Sequence, residues 1–577
     1  MSASNSNLSN PKYSFDMVVA ATQASVNATM EEWLSRHHGK PYSQAYVYNP
    51  TPSQGASNVA PIGFDKLQET VGFDPFDIPN GTATTDERIQ KLMEQKFMFA
   101  FQVEVGLPDF PLSDIPPVIS FNKEGSYVTY NMVCGTFKII ALQAGLYNQS
   151  TWLNLDQDEG DKPWVFSFTV DLNLDKDDIN SHFHNLPVST QQKIQSMGKD
   201  MFSIRQLYLD LNTAGLADSV KITNLETTSQ AYVQLTTVFL NAYLAEMQKE
   251  GGVMLGYTVV ADSHKDKSSL VPTNMNFEIC SYKDQKNKAT ADYEAYTLNY
   301  LIMSENKAMP APVQFPWNWV DKQNTAQYAG VMAINRSTFI SYLHDLLSPT
   351  LSAISYKVKP HYHVNCVKGS MSASFEQDTA KHEYMVVSGG KDHVLTYSYK
   401  NSNTSSDSQY CGVFENWGNF GLTYQATSDV YLQGTQIKVL TLVDMKMHVN
   451  VEGGVSEGHW AKFLATTIYT VGVDTDGKLS VKRHMSETED KSSSVKINGW
   501  SKFMSAGIIE NAINSTKDQV KSWMKGVIQD DSKKIARMLN GAGSWVFPGG
   551  KTFSYTNAQF SDNQDLVCNI LYKQPEV

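Results

Sequence analysis

Apolar helical stripes followed by long sets of alternating, aromatic-rich strands recur three times along this chain, and no other feature constrains its fold as much. The first instance runs from Phe15 to Trp33, with strands that start at Phe97. The second runs from Thr338 to Leu347, with strands from Ile354 to Lys482. The third is a helical tail, Ser515 to Leu539, that closes on a final hairpin. A helix with one apolar stripe and a strand with one apolar face must each be covered by another layer. The expected class is therefore α+β, with long amphipathic helices laid on antiparallel sheets in elongated, apolar-lined bodies. Such bodies suit holding or carrying an apolar ligand. No segment is comparably organised for bond chemistry.

At 577 residues the chain is too long for one core, and two to four domains are expected. A content of 41% hydrophobic and 18% charged residues is that of a globular protein. The formal net charge of −12 argues against nucleic acid, which needs a basic face, but leaves room for a local membrane-binding patch. The first residues lack a basic start followed by an apolar run, and no stretch reaches transmembrane length, so a soluble, cytoplasmic protein is expected. The cysteines Cys134, Cys280, Cys366, Cys411 and Cys568 are odd in number, scattered and without a CxxC pair, which suits reduced thiols.

Read in order, residues 1–13 are Ser/Asn-rich and are expected to form a disordered tail. Val19, Thr22, Val26, Met30 and Trp33 recur at helical spacing. Residues 41–81 are rich in Pro, Gly and Asn and read as a long loop. Thr84 or Thr85 caps a short helix to about Lys96. Phe97, Phe99, Phe101, Val103 and Val105 then share one strand face, as do Trp164, Phe166, Phe168, Val170, Leu172 and Leu174. A strongly apolar helix spans Thr228 to Gln248. The stretch 304–328, with Pro310, Pro312 and Pro316 and the tryptophans Trp317 and Trp319, marks a boundary. It divides an N-terminal lobe, 14–325, from a C-terminal lobe, 326–577. Beyond it Ser337 is the expected cap of a helix bearing Phe339, Leu343 and Leu346. Asn401 to Gln409 reads as a polar loop and Asp474 to Gly477 as a hairpin turn.

The sequence holds no HExxH and no CxxC. Gly472 to Lys478 imitates a phosphate loop, but Leu479 stands where Ser or Thr belongs and no helix follows. The same Asp474-x-Asp476-Gly477 lacks the closing Glu of a calcium loop. His182-x-His184 and His361-x-His363 put paired imidazoles on one strand face, where metal would need a third ligand; Cys366 is the nearest to the second pair. A polar strand face explains both more simply, and no metal or other cofactor is expected. His344-Asp345 reads as a surface pair, and the acidic runs Asp156–Asp161 and Asp171–Asp178 as solvated strand ends.

Several blocks resemble a known group. Tyr13 to Ala20, with Val26-Asn27, resembles the start of accessory proteins encoded beside clostridial neurotoxins. Leu270-Val-Pro272-Thr273 and Gly330 to Ile334 are similar to blocks of the same group. Phe547 to Phe553, Phe560-Ser-Asp562 and Asp565-Leu-Val567 are similar to related fungal and bacterial proteins. That group resembles the tubular lipid-binding (TULIP) superfamily, in which a curved antiparallel sheet wraps a long helix and often leaves an apolar tunnel. The resemblance implies two TULIP-like lobes and non-catalytic binding of lipids, sometimes at membranes. It supplies no ligand residues by position.

The periodicities nominate ligand-lining positions directly. These are Phe99, Phe101, Phe166, Phe168 and Val170 from the sheets, and Val26, Met30, Phe339, Leu343, Trp523 and Val527 from the helices. The expected partner is a lipid or another hydrophobic small molecule, with peripheral membrane contact. Two rival readings remain. One is a toxin component or toxin partner acting by protein–protein contact through Trp317, Trp319 and Trp460. The other is an enzyme whose signature is not local in sequence.

Overall fold

The computed structural model describes residues 2–36, 41–51, 58–122, 125–144, 150–178, 202–218, 222–249, 252–261, 270–388, 390–452, 454–493, 508–527, 530–540, 545–546 and 552–573. It is α+β, and every strand pairing described is antiparallel.

A central sheet has the order Pro272–Cys280, Thr297–Ser304, Met17–Thr22, Gly330–Ile334, Leu566–Lys573, Thr552–Phe560. It therefore takes strands from both sides of residue 326. Its middle strands are buried along their whole length. One face, with Met17, Val19, Tyr300, Ile302 and Met332, joins the main core. The other, with Val18, Ala20, Leu301 and Val331, is covered by Leu8, Tyr13, Phe15, Phe315, Trp317 and Trp319. Gly330 lies so close to the first strand that a Cβ there would stand 2.0 Å from the Ala20 carbonyl oxygen, so only glycine fits.

Two further sheets stand beside it. One has the order Val59–Gly63, Tyr42–Tyr48, Phe97–Val105, Cys134–Ala144, Ser150–Asp156. The other has the order Trp545–Val546, Val253–Ala261, Phe202–Asp218, Phe166–Asp178, Tyr127–Met132, Ile119–Phe121. A helix, Gln230–Lys249, crosses them. The helix Gln23–Arg36 completes the edge strand Ile119–Phe121: the Asn27 amide donates to the Ile119 carbonyl and its oxygen accepts from the Ile119 N–H, both at 2.8 Å.

The long sheet of the C-terminal half has the order Met385–Val386, His393–Cys411, Phe414–Gln433, Gln436–Val451, Gly454–Val473, Leu479–Asp490. The hairpin Tyr356–Val364 with Gly369–Gln377 lies against it. Helices Ile508–Val527 and Ser532–Asn540 close its apolar face, and Trp523 stacks on Tyr356 with ring centroids 3.8 Å apart.

Several expectations are corrected. The helix expected from Phe15 is a strand as far as Thr22, and helix begins only at Gln23. A strand buried on both faces reads as an unbroken apolar run, which periodicity cannot tell from a buried helix. Residues 2–13 are packed, not disordered: Leu8 is fully buried. Asp565, itself buried, accepts from the Ser6 hydroxyl and the Leu8 N–H at 2.7 Å each and from the Arg336 N–H at 2.9 Å. Burial pushes the Asp565 carboxyl above its ordinary pKa.

The loop expected at 41–81 contains the strands Tyr42–Tyr48 and Val59–Gly63 and the helix Phe64–Val71. Asp86, not Thr84 or Thr85, caps the helix Glu87–Glu94, and Asn335, not Ser337, caps Arg336–Leu347. Asn401 to Gln409 is not a loop but part of a continuous strand held in register by its neighbour. Cys366 and Cys411 form a disulfide, so the thiols are not all reduced. Two of the helices expected to be long are short: Gln23–Arg36 has 14 residues and Arg336–Leu347 has 12, whereas Ile508–Val527 reaches 20. The hairpin turn at Asp474 to Gly477 stands, with the Asp474 carboxylate accepting from the Asp476 and Lys478 N–H groups.

Candidate functional site: an apolar groove at the end of an aromatic seam

A chain of aromatic rings runs beneath the helix Gln230–Lys249. Trp164 and Phe166 touch Phe137; Phe137 meets Phe239 at 6.3 Å; Phe239 meets Phe101 at 4.9 Å; Phe101 and Tyr46 lead to Phe99. Tyr42 touches both Phe239 and Tyr243. Phe239 holds the middle because the helix is locally widened. Leu235 to Phe239 is a π turn in which the Leu240 N–H reaches back to the Leu235 carbonyl. Such turns cost helix regularity and recur where a side chain must be re-aimed. Tyr46 bonds Gln234, the residue before this turn, and burial pushes its hydroxyl up to about 12.

The seam ends in an open groove of about 390 Å³ between the start of this helix and the ends of strands Phe97–Val105, Cys134–Ala144 and Ser150–Asp156. Met98, Phe99, Leu142, Leu153, Leu225 and Ala231 give it apolar walls. Gln143, Glu226, Thr228, Ser229 and Gln230 rim it with polar groups. The strand is bulged here: Tyr46 pairs with Phe99 and Val47 with Phe97, leaving Met98 as the extra residue. A bulge turns side chains relative to strict alternation. Phe97 accordingly joins Ala100 and Trp152 on the far face, which corrects the expectation that Phe97, Phe99 and Phe101 share one side.

Of the nominated lining residues, Phe99 lies in this groove. Phe101, Phe166, Phe168 and Val170 are fully buried in the main core beside it. Val26, Met30, Phe339, Leu343 and Trp523 belong to the same core, none more than 7% exposed. Val527 ends its helix, and its side chain lies outside the described residues. Sequence reasoning missed Met98, Leu142, Leu153, Leu225 and Ala231. The available signal was Ser229, which caps the helix by accepting from the Tyr232 N–H, four residues after an apolar loop residue, Leu225.

A second depression, about 510 Å³, lies on the polar face of the long sheet and is lined by Ser402, Thr404, Gly421, Thr423, Lys446, His448, Glu457 and His459. Its polar groups already pair: His448 with Glu457 and His459 with Asp444, each at 2.7 Å. His361 lies 3.2 Å from Ser374, and His363 bonds Asp407. With Cys366 in a disulfide, that imidazole pair loses the third ligand weighed for it. His182 and His184 fall outside the described residues. Trp317 and Trp319 are buried against Phe315, so they are not the exposed anchors expected; the Trp460 side chain is outside the described residues. Among the described residues no helix is long and apolar enough to cross a membrane.

The protein is thus of α+β class, built of antiparallel sheets, with an apolar groove opening from an aromatic core. No family model and no curated protein matches the chain. Among solved structures it is similar to P47 from Clostridium botulinum A2, at 10% identity over 97% of each chain with a TM-score of 0.39. It is also similar to a lipopolysaccharide binding protein, at 9% identity over 98% of this chain and 100% of that one, with a TM-score of 0.30. At such scores neither likeness carries an argument about function.

Proposed function

We propose that the protein binds a small hydrophobic ligand, such as a single-chain lipid, in the groove at Phe99, and does not transform it. The observation that carries this reading is the groove itself: apolar walls, a polar rim, and Phe99, the ring at which the buried aromatic seam reaches it. Its volume is at the small end of ligand sites, which span roughly 300–1,000 Å³. The driving force is burial of apolar surface, about 25 cal/mol per Å². The rim groups Glu226, Ser229 and Gln230 offer partners for a polar end that stays at the mouth. The histidine–carboxylate pairs described above all lie away from the groove, which supports binding over acid–base chemistry.

The test is native mass spectrometry of the purified protein after incubation with single-chain lipids, with organic extraction of whatever is bound. Gln143→Trp puts an indole into the groove from a half-exposed position. It is expected to abolish uptake while leaving the melting temperature unchanged. Uptake by Gln143→Trp equal to that of the wild type, or a wild type that stays free of ligand, removes the proposal.

A further inference from the structure

At one end of the long sheet three hairpin turns meet and expose apolar side chains together. Val413 is 89% exposed, Val367 84%, Tyr410 75% and Phe414 73%; Trp417 and Val455 are each 39% exposed. The turns are held to one another. The disulfide Cys366–Cys411 joins the turn after Tyr356–Val364 to the turn between His393–Cys411 and Phe414–Gln433. The Asn416 amide donates to the Asn365 carbonyl, and the Glu452 N–H donates to the Trp417 carbonyl. The apex is a two-residue turn, Gly412-Val413, closed by the Cys411–Phe414 pair, with Gly412 at φ +73°. Such turns normally carry polar residues. Here valine stands at the most exposed point, and tyrosine, phenylalanine and tryptophan follow within a few residues on either strand.

We propose that this braced tip docks into the surface of a lipid bilayer whose headgroups are electrically neutral. Exposed apolar clusters on a polar surface mark contact sites. The shape decides the occupant. A bilayer surrounds a protrusion, so every side chain at the tip gains contact. Trp and Tyr favour the level of the headgroups, with their rings in the apolar layer and their polar atoms outside it. The flanks fit that depth. Behind Val455 the outer face of the sheet is polar, with His448, Glu457, Lys446 and Thr404 along it.

Charge selects the kind of lipid. Asp407, Glu415 and Glu452 lie among these turns, against Lys368. Asp407 is held below the usual carboxylate range by the Val364 N–H and by His363. An anionic surface would repel this rim, since it attracts clustered lysines and arginines.

The experiment is flotation of the full chain with phosphatidylcholine vesicles and with vesicles containing phosphatidylserine. The wild type is expected to float with phosphatidylcholine and less with added phosphatidylserine. The double variant Val413→Asp/Phe414→Asp is expected to bind at least tenfold more weakly with an unchanged melting temperature. Met385→Asp, at an exposed apolar site on the far edge strand, serves as the control and is expected to bind like the wild type. The proposal is overturned by a wild type that ignores both vesicles, by binding that requires phosphatidylserine, by undiminished binding of the double variant, or by a tip-dependent dimer that forms without lipid. Gln143→Trp is expected to float normally, so failure of the groove reading and failure of this one are separable.

Discussion

Phe239→Ala is expected to lower stability by about 3–5 kcal/mol, the range for emptying a buried aromatic site. Phe239 is fully buried and links the rings on either side of it, Phe101 at 4.9 Å and Phe137 at 6.3 Å. Its loss opens a void in the middle of the seam, and the π turn that aims it then has nothing to hold. Phe239→Leu keeps most of the volume and is expected to cost less than about 1.5 kcal/mol. The readout is the urea midpoint together with single-chain lipid uptake. A seam that supports the groove floor loses uptake in the alanine variant at temperatures where the protein is still folded. An alanine variant that is destabilised but takes up lipid normally would show that the seam is core alone.

Asp16→Ala is the second large effect. Asp16 is buried, and its carboxylate accepts from the Ser304 N–H at 2.9 Å, the Ser304 hydroxyl at 2.7 Å, Lys307 at 2.9 Å and the Thr338 hydroxyl at 2.5 Å. It ties the entry of the first strand to the end of its neighbour and to the start of the helix Arg336–Leu347. Removing it leaves a buried backbone N–H and two hydroxyls without an acceptor, each unmet donor costing about 1–3 kcal/mol. The partly exposed Lys307 turns to water and adds little. An overall loss of about 3 kcal/mol is expected in urea unfolding. Asp16→Asn keeps one carbonyl acceptor and should lose roughly half as much. An alanine variant within about 0.5 kcal/mol of wild type would show that water replaces the carboxylate there.

Class and strand placement were legible where one face is wet. Phe97 to Val105 and Phe166 to Leu174 were readable from alternation. Legibility failed where both faces are dry or both are polar. Met17 to Thr22 shows no alternation because the central sheet is covered on both sides. Asn401 to Gln409 shows none because its side chains are nearly all polar, and only pairing with Phe414–Gln433 makes it strand. The groove was barely legible. It depends on the bulge at Met98 and on a π turn, each a one-residue departure from the periodicities that a sequence reading assumes. Phe99 was found because it lies on a regular stripe. Leu225 and Ala231 were not, because a loop residue and a small residue carry no pattern.

The Ser6–Asp565 hydrogen bond joins residues 559 positions apart, and the strand Gly330–Ile334 is flanked by one strand from the start of the chain and one from its end. The order of synthesis therefore matters. Until residues 565–573 leave the ribosome, the segment bearing Leu8 lacks its Asp565 anchor, and Gly330–Ile334 has one bare edge. An unpaired edge of this kind recruits other strands. A chain cut short before Asp565 would thus carry its defect around Leu8 and Gly330–Ile334 as much as at the cut.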